Sequence, residues 1–458
     1  MRIAVIGGLA AGPAAAAEAA RQGADVVLYE AGAHVSVGAC EIPYHVAGRL
    51  EGDDPLNVVS AAELERTRGF EVFTRHLVTA LDVRAGRLTV EALDYGSTRD
   101  EPFDRFILAT GARATPLDVP GADAAGVFSV RDAADAEAIR DWLACESVRH
   151  AAVLGGGYVG LEMAEALRDR GVRASLFDPS GRPLSGTLHP QMDGLLVRAM
   201  SDAGVAVRAE RATGIRTDRQ GRVAAVETDA GERVGCQMVI AAIGVTPRVE
   251  LAQAAGIDVG ETGAIAVDDQ MKTSARTVWA CGDAVEVTRV PDGAAIHWPL
   301  APTGRRTARV AARNAARRGG TPERFAGVTG AVAVRAFGIE CAGVGLDEDA
   351  AAAAGFDAVG VQIRHRTRTE VFPGSQPIDV RLVAERGTGR LLGGQLVAPE
   401  GAALRANVLV PLVRSGATAR ELAEDLDLVY NPPIAPAMDP LRVAARETDK
   451  AARGDAAD

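Results

Sequence analysis

The chain has 458 residues, 47% of them hydrophobic, enough for about three domains with buried cores. Lys and Arg number 50 against 61 Asp and Glu, and the net charge of −11 argues against a nucleic-acid partner. The five cysteines are scattered with no CxxC pair, so no metal site is expected and the usage suits a reducing cytoplasm.

The first residues, Met1-Arg2-Ile3-Ala4-Val5-Ile6, enter a strand at once with no signal peptide, and no apolar stretch is long enough for a membrane span. A Gly-rich turn follows, with Gly7, Gly8 and Gly12, then an Ala-rich helix and a second strand ending at Glu30. This is a βαβ dinucleotide fingerprint in which Leu9 stands where the middle glycine belongs.

Ten residues on comes Ser36-Val37-Gly38-Ala39-Cys40-Glu41-Ile42-Pro43-Tyr44. The Gly before and the Pro after predict a loop turning into a helix start, where backbone amides favour a thiolate. Glu41 works against that, because a neighbouring carboxylate raises a thiol's pKa. The other cysteines, Cys145, Cys236, Cys281 and Cys341, read as small buried hydrophobes.

A β-rich stretch covers about 70–110 and ends in the apolar strand Phe106-Ile107-Leu108-Ala109, closed by Thr110-Gly111. The fingerprint then recurs, complete, from Ala151 as Gly155-x-Gly157-x-x-Gly160, with Asp178 in the place of Glu30. Two such units in one chain predict FAD on one and a nicotinamide dinucleotide on the other. An acid at 178 repels a 2′-phosphate and favours NADH, while nearby Arg182 leaves NADPH open. Further on, 239–244 reads as another core strand and 305–318 as a helix rich in Ala and Arg. His297 reads as structural. From about 325 the pattern changes to strands at 331–337, 378–384 and 391–397 and helices near 401–415 and 418–425. The charged, Ala-rich tail 447–458 is expected to be disordered.

With these motifs on the page, the sequence resembles the single-cysteine branch of the pyridine nucleotide–disulfide oxidoreductases. That branch contains coenzyme A disulfide reductase, NADH oxidase and NADH peroxidase. The likeness runs from residue 1 to about 446 and is carried by the Gly7-Gly8-x-Ala10 turn, Ser36-x-x-x-Cys40-x-x-Pro43-Tyr44 and Ala109-Thr110-Gly111. Cys281-Gly282-Asp283, Tyr430-Asn431-Pro432-Pro433 and Asp439-Pro440 complete it.

The resemblance implies an α/β fold with two Rossmann-like domains and a C-terminal α+β dimerisation domain. The FAD domain is expected over 1–115 and 243–320, the NAD(P) domain over 116–242 and the dimerisation domain over 325–446. It implies that Thr110, Gly111, Gly282 and Asp283 contact FAD and that Tyr430 reaches the partner's cysteine site in a homodimer. It further implies that electrons pass from NADH through FAD to an oxidised Cys40, which reduces a low-molecular-weight disulfide or persulfide. Ala10 stands where the oxidases and peroxidases carry a histidine, which favours the coenzyme A type. Arg21 and Ser36 match that type's substrate contacts. Ala14, Glu18, Ala39, Glu41 and the pair Val371-Phe372 depart from it. An NADH oxidase or peroxidase, and a cysteine-independent reductase of an electron carrier, stay as alternatives.

Overall fold

The computed structural model describes residues 1–52 and 54–454. In chain order the strands that carry the argument are β1 (Arg2–Ile6), β2 (Asp25–Tyr29), β3 (Glu71–Phe73), β4 (Arg105–Leu108), β5 (Val127–Ser129), β6 (His150–Leu154), β7 (Arg173–Phe177), β8 (Ala206–Arg208), β9 (Met238–Ala241) and β10 (Val278–Ala280). The last five are β11 (Val332–Ala336), β12 (Ile339–Gly345), β13 (Ala358–Arg366), β14 (Pro377–Glu385) and β15 (Leu391–Ala398). The helices that carry it are α1 (Ala11–Arg21), α2 (Ile42–Ala47), α3 (Ala133–Cys145), α4 (Tyr158–Asp169), α5 (Ala301–Ala316), α6 (Ala402–Ser415) and α7 (Pro440–Arg453).

Three five-stranded sheets organise the chain. The first has the order β10-β4-β1-β2-β3 and the second β8-β7-β6-β9-β5, and both are parallel throughout. Their central strands are apolar runs buried on both faces, as parallel strands covered by helices must be. β10 returns to the first sheet after the whole second sheet has been made, so the first unit is discontinuous in sequence. The third sheet, β11-β12-β15-β14-β13, is antiparallel. Its strands β12 and β13 fall in stretches that the sequence pattern left unassigned.

Two expectations need correction. Residues from 447 do not begin a disordered tail, since α7 runs to Arg453. Its residues Leu441, Ala444, Ala445, Thr448 and Ala452 are buried at helical spacing against the third sheet. Of that expected tail, 455–458 lie outside the described residues. The second helix expected near 418–425 is a single wide turn, Glu421–Asp425. Among the described residues no helix is long and apolar enough to cross a membrane.

Candidate active site

The two Gly-rich turns are built alike. Gly7 and Gly155 have φ of +106° and +103°, a region that strains any side chain. A Cβ on Gly12 would lie 1.7 Å from the Gly7 carbonyl oxygen, and one on Gly160 would lie 2.0 Å from that of Gly155. Helix and strand therefore meet in each unit at a contact only glycine allows. At Gly157 a Cβ would meet nothing within 4 Å, and φ is −75°. The middle glycine is thus not demanded by the protein's own packing, and Leu9 occupies that place in the first turn without conflict.

The acids close both turns. Glu30 accepts the Gly8 N–H at 2.5 Å and the Gly32 N–H at 2.6 Å. Asp178 accepts the Gly156 N–H at 2.9 Å and the Ser180 N–H at 2.9 Å. Neither α1 nor α4 has a side-chain N-cap, so each presents amides and the positive end of its dipole beside a tight glycine turn. That donor set fits the pyrophosphate of a dinucleotide, with the acid toward its ribose hydroxyls. Arg182 is held by Asp193 at 2.7 Å and by the Leu188 carbonyl at 2.9 Å, facing away from a role as a free phosphate partner.

Of the remaining cofactor candidates, Asp283 reaches a residue of the second unit. Thr110 donates to the Arg248 carbonyl at 2.7 Å, and Gly111 accepts from Arg248 at 2.9 Å. Gly282, at φ +77°, lies where a Cβ would press to 2.8 Å of Ala11 at the start of α1. Asp283 pairs with Arg131 at 2.7 Å, and its carbonyl is 2.8 Å from His297 Nε2. Arg131 also donates to the Ala112 carbonyl at 3.0 Å. It belongs to no motif, and only the fold reveals it beside Asp283.

Cys40 lies in a short 3₁₀ turn, Ala39–Glu41, that runs into α2. Ser36 steers the chain there from φ +56°, and its amide donates to the Gly8 carbonyl at 2.8 Å. Cys40 is exposed, and no disulfide involves it. The expected thiolate preference is reversed here. Surrounding protein raises the thiol's pKa, and Glu41, Glu162 and Asp283 raise it further against Arg131. Glu162 comes from α4 of the second unit, Asp283 and Glu41 from the first, so the sulfur sits where the two units meet. Cys236, Cys281 and Cys341 are buried, and burial pushes their thiols to about 11, 12 and 12. Cys145 corrects an expectation, being exposed at the end of α3.

Of the expected substrate contacts, the Arg21 side chain is engaged within the protein. Arg21 pairs with buried Glu18 at 2.6 Å, and Glu18 also pairs with Arg313 of α5 at 2.7 Å. Glu18, one of the departures from the coenzyme A type, therefore clamps α1 to α5. Tyr430 is not brought to Cys40 by any hydrogen bond within the protomer among the described residues. It is 56% exposed beside Val429, at 89%, on a loop that Thr369 joins through the Pro432 carbonyl at 3.3 Å.

The chain is similar to known proteins over most of its length. Residues 1–315 match the family model "Pyridine nucleotide-disulphide oxidoreductase" and 333–442 match that family's dimerisation domain. An "NAD(P)H coenzyme A polysulfide/persulfide reductase" of Pyrococcus horikoshii is 33% identical, over 97% of this chain and 98% of its own. An "NADH oxidase" of Methanocaldococcus jannaschii is 28% identical, over 98% and 99%. The solved NAD-dependent persulfide reductase from A. fulgidus superposes with a TM-score of 0.94 at 31% identity, covering 99% of this chain and 84% of that one.

Proposed function

The chain belongs to the pyridine nucleotide-disulphide oxidoreductases, and we propose that it uses NADH to reduce a low-molecular-weight disulfide or persulfide of coenzyme A type at Cys40. The observation that carries this reading is one exposed, unpaired thiol at the junction of two dinucleotide-type units, with the other cysteines of the core buried. Relatives named for persulfide and coenzyme A disulfide reduction support it. In this reading 1–115 with 243–320 hold FAD and 116–242 hold the nicotinamide. Residues 325–446 pair two chains, so that Tyr430 and its exposed neighbours Val371, Val429 and Ile434 are covered by a second copy.

FAD, when bound, supplies the relay of two electrons from the nicotinamide to sulfur. The protein's residues do the rest. Gly7, Gly8, Gly12 and Glu30 hold one dinucleotide, and Gly155, Gly157, Gly160 and Asp178 hold the other. The Cys40 thiolate attacks the substrate's S–S bond, which breaks and expels one half as a thiolate, and with no second cysteine in reach Cys40 must carry the other sulfur as a mixed disulfide or persulfide. Intact-protein mass under non-reducing conditions tests this. A thiol or persulfide adduct on Cys40, lost on addition of NADH, is the expected result. A single added oxygen in its place would favour the oxidase or peroxidase reading.

Asp178 should also set the choice of nicotinamide. Its carboxylate closes the turn beside which the ribose would lie, and the Arg182 guanidinium nearby is already paired with Asp193. We expect kcat/KM for NADH to exceed that for NADPH by about tenfold or more. Equal or better kinetics with NADPH would contradict the role given to Asp178.

A further inference from the structure

The turn that carries Cys40 is fixed from both sides. Before it, the Gly38 N–H donates to the Leu56 carbonyl at 2.8 Å, and after it Ile42 and Pro43 are buried at the start of α2. The Glu41 N–H closes the turn on the Gly38 carbonyl at 3.1 Å. Cys40 and Glu41 are both exposed, so their side chains lie on the open side of the turn while Ile42 and Pro43 face the core. Adjacent Cα atoms are about 3.8 Å apart, which keeps the Glu41 carboxylate and the sulfur within roughly one Debye length at physiological salt. The carboxylate also folds back across the turn. A Cβ on Gly38 would lie 2.5 Å from Glu41 Oε2, so the bare backbone at 38 leaves the carboxylate its place on the far side of Cys40 in sequence.

The other two carboxylates of this junction are engaged. Asp283 holds Arg131 at 2.7 Å, and Glu162 of α4 accepts the Tyr44 hydroxyl at 3.1 Å. Arg49, the next guanidinium along the chain, pairs with Asp169 at 2.6 Å and with Glu165 at 3.3 Å. Among the described residues no hydrogen bond or ion pair takes the Glu41 carboxylate. Its charge is therefore free to act on whatever approaches the neighbouring sulfur.

We propose that Glu41 sets the charge of the disulfide that Cys40 accepts, passing those whose arms are neutral or cationic beside the sulfur and turning away those that carry an anion there. The inference rests on the disulfide-reductase reading above and narrows its substrate class. In the step, the Cys40 thiolate attacks R–S–S–R′, the Cys40–S–S–R bond forms, the old S–S bond breaks and R′S⁻ leaves with its electron pair. An anion on R is pressed toward the Glu41 carboxylate as the new bond forms, and a cation on R is drawn to it. The arm that bears the sulfur of coenzyme A is an uncharged amide chain, with its phosphates at the other end, and passes this filter. A thiol with a carboxylate a few atoms from its sulfur does not.

The test uses holoenzyme freed of adduct by a phosphine, in a Cys145→Ser background. Its first arm needs no turnover. Methanethiosulfonates bearing a trimethylammonium or a sulfonate group each form Cys40–S–S–R and expel methanesulfinate. The cationic-to-anionic rate ratio should be about tenfold larger in wild type than in Glu41→Gln, and changes in the nucleophilicity of the thiolate cancel in that ratio. Glu41→Asp keeps the charge and should stay near wild type, while about 1 M salt should erase most of the excess. The second arm is NADH-driven reduction of cystamine, hydroxyethyl disulfide and dithiodipropionate, whose arms are cationic, neutral and anionic. The ratio of kcat/KM for cystamine to that for dithiodipropionate should fall about tenfold in Glu41→Gln, with the neutral disulfide between them. Equal ratios in wild type and Glu41→Gln, in either arm, would overturn the proposal. Wild-type enzyme that reduces none of these disulfides, nor coenzyme A disulfide, would sink the disulfide-reductase reading instead. The thiosulfonate ratios would still decide whether Glu41 selects what reaches Cys40.

Discussion

Cys40→Ser should keep flavin and NADH binding and lose NADH-driven disulfide reduction by about a thousandfold or more. The dinucleotide sites are built from the glycine turns and their acids, none of which touches residue 40, so both cofactors should bind as before. The oxygen of serine cannot form the mixed disulfide on which turnover depends. No other thiol can replace it, because Cys236, Cys281 and Cys341 are sealed in the core and Cys145 lies at the far end of α3. The variant should therefore still take up a hydride from NADH and then stall, with full flavin reduction and no thiol released. Activity above about a tenth of wild type would remove Cys40 from the mechanism and favour a cysteine-independent carrier reductase.

The parts of the site that sequence could supply are those fixed by backbone sterics. Gly7, Gly12, Gly155 and Gly160 are legible because only glycine fits contacts of about 2 Å to a carbonyl oxygen, and such a demand marks the sequence at a fixed spacing. The parts it could not supply are pairings across the fold. Tyr44 and Glu162 lie 118 residues apart, and Arg131 and Asp283 lie 152 apart. Nothing local distinguishes Glu162 from any acid on a helix face. The raised Cys40 thiol was half-legible, since Glu41 adjoins it in sequence while Glu162 and Asp283 arrive only through folding. The tail misled because its charged residues dominate the composition. Its buried side chains are mostly alanine, whose helical spacing is a weak signal until a sheet is there to receive it.

The second large effect separates the two dinucleotide units by one methyl group each. Gly12→Ala would bring a Cβ to 1.7 Å of the Gly7 carbonyl oxygen. Gly7 cannot yield easily, because its own Cα already faces the Ala109 carbonyl, where a Cβ would lie at 2.1 Å. The turn must open, α1 must move off β1, and the amides that would hold the first dinucleotide lose their aim, on top of about 1–3 kcal/mol of overpacking. The variant should purify colourless and stay so in excess FAD. Gly160→Ala imposes the same clash on the second unit, at 2.0 Å from the Gly155 oxygen. That protein should remain yellow, with NADH reducing its flavin at least about a hundredfold more slowly, because misplacing a bound reactant by about 1 Å has that effect on rate. Absorbance of the purified proteins and anaerobic reduction by NADH read the two outcomes independently. If Gly160→Ala lost the flavin and Gly12→Ala kept it, the assignment of FAD to the first unit and nicotinamide to the second would be reversed.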